Sequence, residues 1–158
     1  MSRPITFLSC LMACAAISAV TATAQPANKA AVAGPNDVIS TRQIMFHLSA
    51  ATFGEMKEAA DAGSDVTHLT IGAAGLVRWA RSIPNMFPAG STGPLSRARP
   101  EIWTHRADFE AKAAAYQAAA QQLAATARTG DRAAFLAQWQ AVRHACSDCH
   151  DSYRASDS

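Results

Sequence analysis

From Asp37 onward the apolar positions recur at intervals of three, four and seven, the spacing of one face of an α-helix. The stripe Ile39, Phe46 and Phe53, flanked by Met45, Leu48 and Met56, predicts a first helix. Asn36 or Asp37 is expected as its N-cap, and Gly63 as its C-terminal cap after about Ala62. A second helix is expected from a cap at Ser64 or Asp65 through Ser82, carrying Val66, Leu69, Leu76 and Trp79. Gly72 and Gly75 weaken it by about 1 kcal/mol each relative to Ala, a cost that close helix contact would offset. Pro84 ends it, and the four prolines and two glycines from Pro84 to Pro100 read as a loop, long for a bundle. Met86 and Phe87 are expected to pin that loop to the core. A third helix opens at Pro100-Glu101, with proline in its first turn and an acid at the positive end of the dipole. Along it Ile102, Phe109, Tyr116 and Leu123 repeat every seven residues, with Ala113, Ala120 and Ala127 between them. Thr129-Gly130-Asp131 is a tight turn with Asp131 as cap. The fourth helix then carries Phe135, Trp139, Val142, Cys146, Cys149 and Tyr153 at intervals of 4, 3, 4, 3 and 4. The fold class is all-α: an antiparallel four-helix bundle with a long loop between helices 2 and 3.

The N-terminal residues follow a different pattern. Arg3 precedes an apolar run from Ile5 to Val20, and Ala22-Thr23-Ala24 fits a signal-peptidase site. Residues 1–24 are expected to be a cleaved export signal, residues 25–34 a loose leader, and residues 35–158 the folded domain. The run is short of the roughly 20 residues that span a bilayer. A lipoprotein signal ending at Cys14 would be very short, with an unusual Met12 before the small residue. Cleavage removes Cys10 and Cys14, so the mature chain keeps only Cys146 and Cys149, and no disulfide framework is possible beyond that pair. Loss of Arg3 takes the formal charge from +2 to +1, which points to no nucleic-acid or membrane-surface partner.

The remaining two cysteines form Cys146-x-x-Cys149-His150, the attachment signal of a c-type haem. Two thiols add across the two vinyl groups on one edge of the macrocycle, and the adjacent imidazole binds the iron. On a helix, Cys149 lies about −60° and His150 about +40° from Cys146, so all three face one planar ligand. A zinc site would want a fourth ligand, and His144 is the only nearby candidate. A thioredoxin-like pair would sit at a helix N-terminus after a strand, not near the end of a C-terminal helix. Because the cysteines continue the apolar stripe, the haem is expected inside the bundle.

Four helices, export and a CxxCH in the last helix resemble the cytochrome c′ family and its low-spin relatives. Local matches are Arg42-Gln43, Phe53-Gly54, Pro100-Glu101-Ile102-Trp103 and the run from Cys146 to Arg154. The resemblance implies one covalent haem c with His150 as the proximal iron ligand. It places Arg42 and Gln43 near the propionates and Arg154 beside the proximal face, and it allows a homodimer through the first two helices. The residue four after the arginine faces the iron on the distal side, Met in low-spin members and usually a non-ligating apolar residue in five-coordinate ones. Here that residue is Phe46, and the nearby thioether, Met45, lies about 100° away around the helix. Phe46 is therefore expected over the iron, with Met45 as a sixth ligand only if the helix rotates or bulges. His47 is a further distal candidate for bis-His ligation; His68, His105 and His144 have no partner pattern.

Two functions follow. Electron transfer in the periplasm with a redox partner protein is the first expectation, and five-coordinate binding of NO or CO the alternative. No acid/base or nucleophile constellation suggests an enzyme, and after signal cleavage no membrane association is expected.

Overall fold

In the computed structural model, residues 34–156 are described; the expected export signal and most of the expected leader lie outside them. Helix α1 spans Pro35–Asp61, α2 Thr70–Ser82, a single turn α3 Glu101–Thr104, α4 Arg106–Thr129 and α5 Arg132–Tyr153. The four long helices form the expected bundle, with α4 packed along both α2 and α5. Among the described residues no helix is long and apolar enough to cross a membrane.

The ends of α1 show how local chemistry sets the elements. Gly34, not Asn36 or Asp37, is the N-cap. Its amide donates to Asp37 Oδ2 at 2.9 Å, so Asp37 acts from inside the first turn. At the far end Gly63 adopts φ 81°, and the amides of Gly63 and Ser64 donate to the carbonyls of Ala60 and Ala59. That is a Schellman closure, which needs a left-handed residue at Gly63.

The second helix departs from the uniform segment expected. Asp65 does cap it, accepting from Thr67 N at 2.9 Å, but Val66–Leu69 winds as a 3₁₀ turn before α2 begins. The Thr70 hydroxyl donates back to the Thr67 carbonyl, so side chains compete here with regular α-helical bonding. A Cβ on Gly72 would meet Met56 Cε at 2.7 Å and Thr52 Cγ2 at 3.2 Å, so Gly72 lets α1 and α2 close together. Gly75 meets nothing within 4 Å and has no such role. Pro84 sits inside a second 3₁₀ turn, Ile83–Met86, which carries the chain into the loop.

The third helix is not continuous. It breaks at His105 (φ −114°, ψ 46°), separating the turn Glu101–Thr104 from α4. Tertiary bonds hold the break. Trp103 Nε1 donates to the Pro88 carbonyl at 3.0 Å, and Arg106 donates to the carbonyls of Phe87 and Pro84 at 3.1 and 2.8 Å. The heptad survives: Ile102, Phe109, Tyr116 and Leu123 are all buried. At the next turn Gly130 has φ 74° and Asp131 accepts from Ala134 N at 3.0 Å, as expected.

Candidate haem-binding site

Helix α5 presents its stripe in two halves. Phe135, Val142 and Tyr153 are buried in the core, while Trp139, Cys146 and Cys149 are half-buried. Cys146 and Cys149 border a cavity of about 430 Å³ enclosed by α1, α2, α4 and α5. His150 and Arg154 line it from the same helix end, and Arg42, Gln43 and Phe46 from α1. Met45 does not line it. That thioether packs against the hydrophobic core instead. His47 reaches the cavity lining but is exposed.

Both thiols are free. Burial pushes the Cys146 thiol up, and it pushes Cys149 up to about 11, with further repulsion from Cys146. They are neutral thiols at physiological pH, the opposite of the depressed thiolate of a redox CxxC. The His150 imidazole is held below its usual range by burial and by the positive charges of Arg154 and Arg97, partly opposed by Asp151. It is the neutral form that ligates a metal. Among the described residues no cluster of three or more His, Cys, Asp or Glu converges as a zinc site would require.

The loop after α2 is built on Arg42. This guanidinium, only 3% exposed, donates from Nη1 to the Met86 carbonyl at 3.2 Å and to Ser91 Oγ at 2.9 Å. From Nη2 it donates to the Ser91 carbonyl at 2.8 Å and to Ser96 Oγ at 2.6 Å. It also sits 4.4 Å above the Phe87 ring. A solvated surface arginine is thereby excluded. Gln43 ties down the same loop through Nε2, which donates to the Leu95 carbonyl at 2.5 Å. The loop's far end pairs with the chain beyond the CxxCH: Arg99 N donates to the Tyr153 carbonyl and Ala155 N to the Arg97 carbonyl.

Sequence reasoning missed the aromatic wall. Phe46 meets Trp79 edge to face at 4.9 Å and Phe87 at 6.4 Å, and Phe87 packs on Phe109 at 5.2 Å. Trp79 was legible only as a core residue of the second helix. Tyr116 closes the α4 side, its hydroxyl kept protonated by burial and by Cys146. Lys112 and Arg143 stand at the margin, and no Asp or Glu lines the cavity.

These features fit a flat apolar cofactor bearing carboxylates. The wall is aromatic, two thiols and a neutral imidazole converge on one side, and the ionisable margin is wholly cationic. Arg42 is hydrogen-bonded through both Nη atoms, but its buried charge has no carboxylate partner, and buried Trp79 Nε1 has no acceptor.

A family model described as cytochrome C′ matches residues 37–154. A cytochrome c′ of Alcaligenes xylosoxydans xylosoxydans is 34% identical over 131 residues, covering 77% of this chain and 96% of the relative. The nitric oxide complex of a point mutant of cytochrome c prime from Alcaligenes xylosoxidans superposes with a TM-score of 0.72 at 31% identity, over 78% of this chain and 98% of that one. A carbon monoxide-bound variant of that protein gives the same TM-score, identity and coverage.

Proposed function

The chain belongs to the cytochrome c′ family and carries that family's covalently bound haem c, and on that premise we propose that it binds small diatomic ligands such as NO or CO at an iron held from one side only. When bound, the haem supplies an iron that can take such a ligand or change oxidation state. Cys146 and Cys149, protonated and facing the cavity, would each add S–H across one vinyl group to give two thioethers. His150 would hold the iron from α5. Arg42 and Gln43 would meet the propionates from α1, and Arg154 would flank the His150 side.

One observation carries the reading: the α1 wall opposite α5 presents Phe46 and not Met45. A phenyl ring offers no ligand atom and His47 on the same helix is exposed, so His150 would be the sole protein ligand, and Phe46 would restrict the open face to ligands small enough to pass it. Two structural relatives are complexes with nitric oxide and carbon monoxide, which agrees with this reading. The test is an absorption spectrum of the exported protein, oxidised and reduced, with and without CO. High-spin spectra and CO uptake are expected; a low-spin spectrum indifferent to CO would sink the proposal.

Electron transfer is the second reading. Lys112 and Arg143 at the margin, with no acid in the lining, would favour the reduced iron and an acidic partner protein. Residues 1–24 would direct export to the periplasm, and the mass of the mature protein, beginning at Gln25 with one haem added, checks this. Exposed Ile44 and Leu48 on α1 and Ile71 on α2 would be covered in a homodimer.

A further inference from the structure

Away from the haem cavity, a cleft of about 350 Å³ lies along the seam between α2 and α4. It is lined by the apolar side chains of Ala74, Val77 and Ala124 and by the rim residues Arg78, Arg81, Arg128 and Gln121. The four rim residues are exposed. On other parts of the surface Lys57 and Arg106 each find an acid one helical turn away, Asp61 and Glu110. Among the described residues, Arg78, Arg81 and Arg128 make no ion pair, and their guanidiniums make no hydrogen bond.

The sequence explains why no acid answers them. There is no Asp or Glu between Val66 and Pro100, nor between Ala111 and Gly130, so both walls of the seam are acid-free over the whole cleft. Arg81 and Arg128 stand in the last turns of their helices, where the dipole favours a cation. That accounts for each singly. It does not account for their meeting with Arg78 in one concave place, where like charges repel without a counter-ion.

We propose that this cleft is a binding site for a small multivalent oxyanion of the phosphate class. Guanidinium groups present forked donors that match phosphate oxygens two at a time. Arg78 and Arg81 approach from α2, Arg128 from α4, and the Gln121 amide adds a neutral donor on the same α4 face, two turns before Arg128. A protein partner would need about 800 Å² of contact per side, whereas these charges converge on a recess of small-ligand size. The site is independent of the haem and of what the haem binds.

Calorimetric titration of the haem-loaded protein with pyrophosphate tests the proposal. One saturable site per chain is expected, weakening steeply with added salt. Arg78→Gln and Arg128→Gln should each weaken it at least tenfold. Arg78→Lys, which keeps the charge but loses the fork, should weaken it less. Because these side chains are exposed, the haem spectrum and the melting temperature without pyrophosphate should not change. Competition by ADP would identify a nucleotide phosphate as the ligand, and binding of pyrophosphate without such competition the free ion. Absence of saturable binding, equal binding by both Gln variants, or equal displacement by chloride at matched ionic strength would each overturn the proposal.

Discussion

The Phe46 and Trp79 rings meet edge to face, with centroids 4.9 Å apart and planes 84° apart, and this contact fixes what the α1 wall offers the haem cavity. An aromatic pair of this geometry adds about 0.5–1.5 kcal/mol to the burial of the two rings. Moving Phe46 aside therefore has a cost, and under the proposed gas-binding function that cost would set how readily a diatomic ligand enters.

Substitutions at this position separate the two readings of function. Phe46→Leu keeps an apolar wall but loses the pairing with Trp79. CO should bind roughly two- to thirteenfold faster, the rate equivalent of about 0.5–1.5 kcal/mol. Phe46→Met places a thioether where the ring stood and should give a low-spin spectrum with slowed CO uptake. Met45→Leu should leave the spectrum unchanged, since Met45 lies outside the lining. A spectral change on Met45→Leu would assign that sulfur to the iron.

Arg42 should matter for stability before it matters for the cofactor. Its four hydrogen bonds hold Met86, Ser91 and Ser96, and replacing it with Met leaves the Met86 and Ser91 carbonyls to find new partners. A loss of about 3 kcal/mol is expected from unsatisfied buried acceptors, read as a fall in the denaturant midpoint. Arg42→Lys keeps the charge but cannot reproduce four bonds in a plane, so it should recover only part of the loss. Hydrogen exchange should quicken across residues 86–96 in both variants.

The contrast between Arg42 and the CxxCH shows which parts of this protein its sequence makes legible. The Ile102, Phe109, Tyr116, Leu123 repeat and the stripe through Cys146 and Cys149 are short-range patterns, and they predict the bundle and the cavity side of α5. The break at His105 is not such a pattern. It depends on Trp103 and Arg106 reaching carbonyls in the preceding loop, at Pro88, Phe87 and Pro84. Helical phase puts Arg42 and Gln43 on the face that lines the cavity, but not in the loop that occupies their donors. Trp79 reads equally well as core or as cavity wall, because both demand the same apolar face of α2.

Tyr153 gives a prediction about alkaline pH. Its hydroxyl donates to Asp108 Oδ2 at 2.6 Å, and burial together with that carboxylate pushes the phenol up to about 12. A group whose pKa is raised on folding stabilises the protein fully below the unfolded value, near 10, and less as pH rises through the folded one. Stability should therefore decline between about pH 10 and 12. Asp108→Asn removes the charge but leaves an acceptor, so ultraviolet titration at the phenolate band should detect Tyr153 ionising at lower pH than in the native protein.

Two glycines three positions from one another on the chain's second helix should answer the same substitution in opposite ways, and the reason is the neighbour each one faces. Gly75 has no atom within 4 Å of a built Cβ, so Gly75→Ala should gain the helix propensity of alanine, roughly 0.5–1 kcal/mol. At Gly72 the same methyl would fall 2.7 Å from Met56 Cε and 3.2 Å from Thr52 Cγ2. Met56 is buried and cannot swing its end freely into solvent, while Thr52 is β-branched and stiff at χ1. Overpacking of this kind costs about 1–3 kcal/mol, more than the propensity gained. Thermal melts of the two variants should move apart, Gly75→Ala upward and Gly72→Ala downward; a rise in both would mean that α1 and α2 are free to separate at this crossing.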